Sequence, residues 1–162
     1  QYVRTEIKDD LRFATLVPDF FLQTKKARSV LPRSVSMRDA VYNTGRSALL
    51  AASIMSGKYE NIRAAVGDKL HQRYRKRLIP RMDELFRCCY ANGALGVYLS
   101  GAGPTIVAIV HRDNQTFEEA MNEVLSQRMR NWKLYMLKAD NRGAIVCKKK
   151  PESRKPGRPV SE

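Results

Sequence analysis

Histidine, cysteine and acidic side chains are all scarce in this sequence, and each shortage argues against a class of function. The two histidines, His71 and His111, stand far apart with no carboxylate pattern around them, which argues against a histidine metal centre. Of three cysteines, Cys88 and Cys89 are adjacent and Cys147 is distant, an arrangement that fits neither a disulfide framework nor paired metal-ligand spacing. No metal held by His or Cys is expected, and the thiols read as those of a reduced, cytoplasmic protein. No run approaches the roughly 18 apolar residues of a membrane span, so no membrane partner is expected. The opening QYVRTEIKDD has neither an initiator methionine nor the charged-then-apolar order of a signal peptide, and reads as the middle of a longer protein.

The shortage of acid is the largest. Thirty Lys and Arg face 16 Asp and Glu, a net charge of +14 that calls for an anionic partner or a solubility role. Part of it sits in CKKKPESRKPGRPVSE, a Pro-rich stretch poor in apolar residues, whose portion from 148 to 162 reads as a basic disordered tail. Its RKPGRP resembles a minor-groove hook, but one short copy without interleaved aromatics is outweighed by the reading as a solvated tail. Nucleic acid is not the expected partner.

What is present suits one globular domain. A chain of 162 residues, 43% of them hydrophobic, buries roughly 70% of its extended surface. Residues 11 to 18, LRFATLVP, alternate as an extended segment that stops at Pro18. Thr24 stands where an N-cap belongs, ahead of a short helix ended by Pro32. Ser36 with Asp39 repeats the capping pattern before a helix from 37 to about 55, whose Ala40, Val41, Leu49, Leu50, Ala52 and Ile54 predict a largely buried element, stopped by Gly57. A helix near 59–66, the polar link DKLHQRYRKRLIP and a helix near 81–91 follow. The pattern then changes to strand (95–99), glycine loop, strand (105–110), helix (117–128), strand (132–138) and strand (143–148), with a turn at Asp140-Asn141. Helices first and strands later predict an α+β fold, with helices packed on one side of a four-stranded, mostly antiparallel sheet.

The loop SGAGP, between two apolar runs, admits two readings. Gly101 and Gly103 favour a plain hairpin turn, and they also bare backbone amides to which an anion can bind. Spacing alone favours the turn.

Four segments in order tip the balance. LSGAGPT after a strand resembles the third motif of the GHMP small-molecule kinases, the superfamily of galactokinase, homoserine kinase, mevalonate kinase and phosphomevalonate kinase. VPDFFLQTKKARSVLP, VSMRDAVYNTGRSALLAASIMSGKYE and DKLHQRYRKRLIP resemble the homoserine kinase branch in particular. The resemblance runs from about Ala14 to Val110. It implies a ferredoxin-like C-terminal domain over 19–147, with 1–18 ending a preceding domain or forming an inter-domain strand.

The resemblance also implies the chemistry: transfer of the γ-phosphoryl group of ATP to the side-chain hydroxyl of L-homoserine, in threonine biosynthesis. By matching position, Arg28 and Arg75 contact the substrate amino acid together with Gly101. Ser100, Gly101, Ala102 and Gly103 close on the nucleotide phosphates, while Asn43 and His71 occupy recurrent positions of unassigned role. These residue types make chemical sense, since a guanidinium pairs bidentately with a carboxylate and phosphoryl transfer depends on positioning and electrostatics. The superfamily's P-x-x-x-G-L-G-S-S-A phosphate loop and its Mg²⁺-holding acid do not occur, so the chain is expected to be the C-terminal part of the enzyme. It would then carry no catalytic residue of its own, and the main site for ATP and Mg²⁺ would lie in the other half. Arg73 and Arg77 replace two prolines often found in the family's H-Q-P-Y-R-x-P link. Family habit implies a homodimer. The competing class is a non-catalytic basic binding module that keeps half of a kinase fold.

Overall fold

The computed structural model describes residues 1–146. Four strands, β1 (Leu11–Pro18), β2 (Gly96–Leu99), β3 (Ile106–His111) and β4 (Trp132–Leu137), form one antiparallel sheet in the order β2-β3-β1-β4. The helices are α1 (Thr24–Ser29), α2 (Met37–Ser56), α3 (Ile62–Ala65), α4 (Gln72–Arg75), α5 (Met82–Ala91) and α6 (Phe117–Arg128).

Alternation along the strands sorts the sheet's two faces. Ala14 and Leu16 of β1, Val97 and Leu99 of β2, and Ile106, Ala108 and Val110 of β3 point to one side. There they pack with Met82, Leu85 and Cys89 of α5 and with Phe117, Met121 and Leu125 of α6. The other face carries Leu11, Phe13 and Ile109, and is met at one end by Ile62 of α3 and Leu50 of α2. Helices therefore lie on both faces, unlike the one-sided packing expected. Arg81, in the left-handed region at φ 62°, starts α5. Its guanidinium makes two bonds to Glu84, at 2.7 and 2.8 Å, and donates to the Arg128 carbonyl, clasping α5 to the end of α6.

Several expectations need correcting. The fourth strand is not the one expected at 143–148 but Leu11–Pro18, an interior strand hydrogen-bonded on both edges, which lies in the segment 1–18 expected to end a preceding domain or form an inter-domain strand. Residues 143–146 form no strand, and Cys147 and Lys148 lie outside the described residues, as does the basic tail. The Asp140-Asn141 turn feeds no hairpin because the Asn141 amide is bonded to the backbone of Ile7, accepting from its N–H at 3.0 Å and donating to its carbonyl at 2.9 Å. Thr24 is the first helical residue and Gln23 holds the cap position without a side-chain bond. Ser36 does cap α2, its hydroxyl accepting from the Asp39 N–H at 3.1 Å. Yet α2 is largely exposed rather than buried: Ser53 is its one buried residue, while Met37, Val41 and Met55 face solvent. Its small apolar residues are spread around the helix, so no single stripe is deep enough to bury it.

Candidate functional site

The glycine loop turns β2 into β3. The Ser100 N–H bonds the Thr105 carbonyl at 2.9 Å, and the Gly103 N–H bonds the Ser100 carbonyl at 2.9 Å. Gly101 and Gly103 take φ of 53° and 84°, the left-handed region where a side chain is strained. A Cβ on Gly101 would meet nothing within 4 Å, so its face of the loop is open. Among the described residues the N–H groups of Gly101 and Ala102 donate to no acceptor. The loop is both a hairpin turn and a source of two bare amides.

Arg75 fastens this loop to α1. Its Nε donates to the Ala27 carbonyl at 3.1 Å and its Nη1 to the Gly101 carbonyl at 2.7 Å, with His71 Nδ1 3.2 Å from the same Nη1. The residue is 9% exposed, and among the described residues no carboxylate pairs with it. Among the described residues its Nη2 makes no hydrogen bond, yet no buried side-chain nitrogen lacks a partner, so Nη2 reaches solvent. A nearly buried cation with neutral partners and one free edge is electrostatically unfinished. Arg28, next to the anchored Ala27, is exposed and its side chain bonds nothing among the described residues.

Asp68 organises the neighbouring turn. Its side chain is 6% exposed. It accepts from the backbone N–H groups of Leu70 (3.2 Å), His71 (2.9 Å) and Gln72 (2.6 Å), and from the Asn43 amide (2.9 Å). Asn43 in turn accepts from the Lys69 N–H at 2.9 Å, so both ends of its amide staple α2 to the turn. Gln72 accepts from the Leu99 N–H at 2.8 Å, one residue before the glycine loop. Burial works against the Asp68 carboxylate, but the N–H groups of Gln72 and His71, the Asn43 amide and the His71 ring outweigh it and hold the carboxyl below its ordinary value. Burial pushes His71 the other way from charge, and the Arg75 cation adds to it, so its pKa lies below 6.5 despite the pull of Asp68.

Between α2, this turn and the end of β2 lies a cavity of about 170 Å³ lined in part by Asn43, Arg46, Ser47, His71 and Tyr98. Arg46 and Lys69 both lie over the Tyr42 ring, at 4.7 and 4.2 Å from its centre. A larger hollow of about 690 Å³ between α6 and β4 contains none of the residues singled out from sequence. Among the described residues no three of His, Cys, Asp or Glu converge, and Asp68 spends its carboxylate on protein donors; a Mg²⁺ site does not fit them. Burial pushes the Cys89 thiol up to about 12, leaving it a core residue.

Arg75, His71, Gly101 and the helix bearing Arg28 thus converge, with Asn43 joined through Asp68. Asp68 and Gln72 were missed in the sequence. Asp68 lies ahead of α4 and accepts from the N–H groups that open it, a role that rests on donors no local sequence pattern marks.

Residues 46–127 match the model of the GHMP kinases C-terminal family, and the chain belongs to that family. Homoserine kinases are the relatives it resembles. It is 46% identical to the homoserine kinase of Clostridium botulinum (strain Alaska E43 / Type E3) over 147 residues, covering 91% of this chain and 49% of that protein. It is 42% identical to the homoserine kinase of Caldicellulosiruptor bescii over 147 residues, covering 90% of this chain and 48% of that one. The crystal structure of homoserine kinase from Cytophaga hutchinsonii superposes with a TM-score of 0.73 at 27% identity, over 83% of this chain and 43% of that one. The chain therefore spans about half the length of the curated relatives it matches.

Proposed function

We propose that this chain is the C-terminal portion of a homoserine kinase, which phosphorylates the side-chain hydroxyl of L-homoserine with ATP in threonine biosynthesis. The observation that carries the reading is the unfinished electrostatics of Arg75. Its free Nη2 edge suits the α-carboxylate of an amino-acid substrate, because a charge-assisted bond would supply the anionic partner the structure withholds. Arg28, carried by the helix that Arg75 anchors, would offer the second cation. The bare amides of Gly101 and Ala102 suit phosphoryl oxygens, where fixed dipoles stabilise developing charge without reorganising.

In this reading ATP and Mg²⁺ are held mainly by the other half of the enzyme, and the residues described here bind and orient the acceptor. Asn43 and His71 support the site from behind. Such an enzyme would work in the cytoplasm, in keeping with the lack of any helix long and apolar enough to cross a membrane among the described residues, and would pair as a homodimer.

The test is homoserine-dependent ADP release by this chain joined to the N-terminal half of its Clostridium relative, with mevalonate and galactose as control alcohols. Turnover specific to homoserine is expected. A folded, assembled protein that turns over none of the three would overturn the reading, and binding of polyanions would then be measured.

A further inference from the structure

Arg75 has two bonds to carbonyls, and its third contact differs in kind. Every nitrogen of a guanidinium donates and none accepts, so the 3.2 Å contact between Arg75 Nη1 and His71 Nδ1 is a hydrogen bond only if Nδ1 carries no proton. The proton of a neutral ring must then sit on Nε2, which faces Asp68 Oδ1 at 3.5 Å. Asp68 is itself fixed by four donors from two segments. The chain of contacts therefore runs from a rigid carboxylate through one imidazole tautomer to the guanidinium, and from there to the Gly101 and Ala27 carbonyls.

We propose that His71 is a positioning residue: in its neutral, Nε2-protonated form it holds the Arg75 guanidinium in the plane from which it grips the glycine loop and α1. The catalytic consequence rests on the kinase reading, whereas the positioning itself does not. A proton added to Nδ1 would replace an acceptor by a donor and set two cations face to face. The charged and titratable groups around the ring are Asp68 and Arg75 from its own segment, Arg46 from α2 and Tyr98 from β2. Asp68 alone favours the added proton; burial and Arg75 oppose it. The glycine loop presents backbone on its side. Lowering the pH through the His71 transition should thus loosen Gly101 and Ala27 together, although they belong to separate elements.

Nuclear magnetic resonance on the whole 162-residue chain tests this directly. At pH 8 the His71 ¹⁵N signals should show a bare Nδ1 and a protonated Nε2. On acidification the amides of Ala102 and Arg28, each bonded to a carbonyl that Arg75 holds, should shift with the midpoint of His71. His111→Gln, which removes the sequence's other imidazole at the end of β3, is the control and should leave the shifts of Ala102 and Arg28 in place. His71→Gln keeps an acceptor for Arg75 and a donor for Asp68, so it should preserve the pH 8 amide positions and abolish their acid shift. In the assembled kinase, His71→Leu should raise the KM for homoserine about tenfold or more, as expected for losing one bond to a charged group, while His71→Gln restores it. A proton on Nδ1 at pH 8, or a His71 titration that leaves Ala102 and Arg28 unmoved, would overturn the proposal. The resonance measurement decides it even if the assembled protein turns over nothing, an outcome that would count against the kinase reading instead.

Discussion

Phe117 and Arg75 are both nearly inaccessible to solvent, yet the regions around them are held by different forces. Around Phe117, α5 and α6 lie on the sheet through Leu85, Met121 and Leu125, and non-directional burial does the holding. Around Arg75, α1, α2 and the turn before α4 meet through Asp68, Asn43, Gln72 and Arg75 itself, all directional bonds to backbone or amide groups. The first arrangement tolerates small shifts of position. The second fixes the orientation of individual atoms, which is what a binding site needs and an apolar core does not supply.

Breaking each region should separate these roles. Phe117→Ala should have the largest effect, about 3 to 5 kcal/mol of unfolding free energy by chemical denaturation, because it empties a fully buried position. Next comes Arg75→Ala, expected to weaken homoserine use by ~2 to 4 kcal/mol in kcat/KM in the assembled enzyme while the KM for ATP is spared. Unchanged homoserine kinetics would remove Arg75 from the substrate site.

Asp68→Ala should cost about 1 to 3 kcal/mol of stability by stranding donors that are half-buried or deeper. The native carboxyl lies below its ordinary 3.8, so its contribution is complete above that pH and is lost as pH falls through the lower folded value. His71, held below 6.5, likewise favours the native state above that pH and loses its contribution as acid titrates the folded ring. Urea midpoints followed from pH 7 downward should show the decline attributable to Asp68 vanish in the alanine variant.

Gly101→Val should cost ~1 to 2 kcal/mol through its left-handed φ, since open space surrounds the new Cβ and no clash is added. Its turnover should fall further than its stability; full activity would return the loop to a plain turn. The smallest effect on stability belongs to Arg28→Ala, within about 0.5 kcal/mol, because the side chain is exposed and unbonded among the described residues. A fall in homoserine affinity at unchanged Tm would mark Arg28 as a ligand-binding residue.

Much of this was legible in the sequence. The strands near the glycine loop, α6 and the Ser36 cap follow from period, turn residues and capping, which are local properties. What was lost is tertiary. Nothing local says that LRFATLVP is clasped on both sides, or that Asn141 bonds Ile7 instead of turning a hairpin. The exposure of α2 was illegible for a related reason, since apolar content reports what a helix is able to bury and not whether a surface is there to meet it. At the site, the arginines came from family resemblance, and Asp68 was passed over because a lone carboxylate among many cations gives no pattern until its donors are seen.

The place of β1 has a consequence for how the chain is made. Of the four strands of this sheet, the first to be synthesised lies between β3 and β4, so each of its edges waits for a segment made much later. Until Trp132–Leu137 is available, one flank of Leu11–Pro18 is an open template for pairing with another chain. Such non-local closure slows folding, so nascent chains halted before β4 should be the ones that aggregate or recruit chaperones.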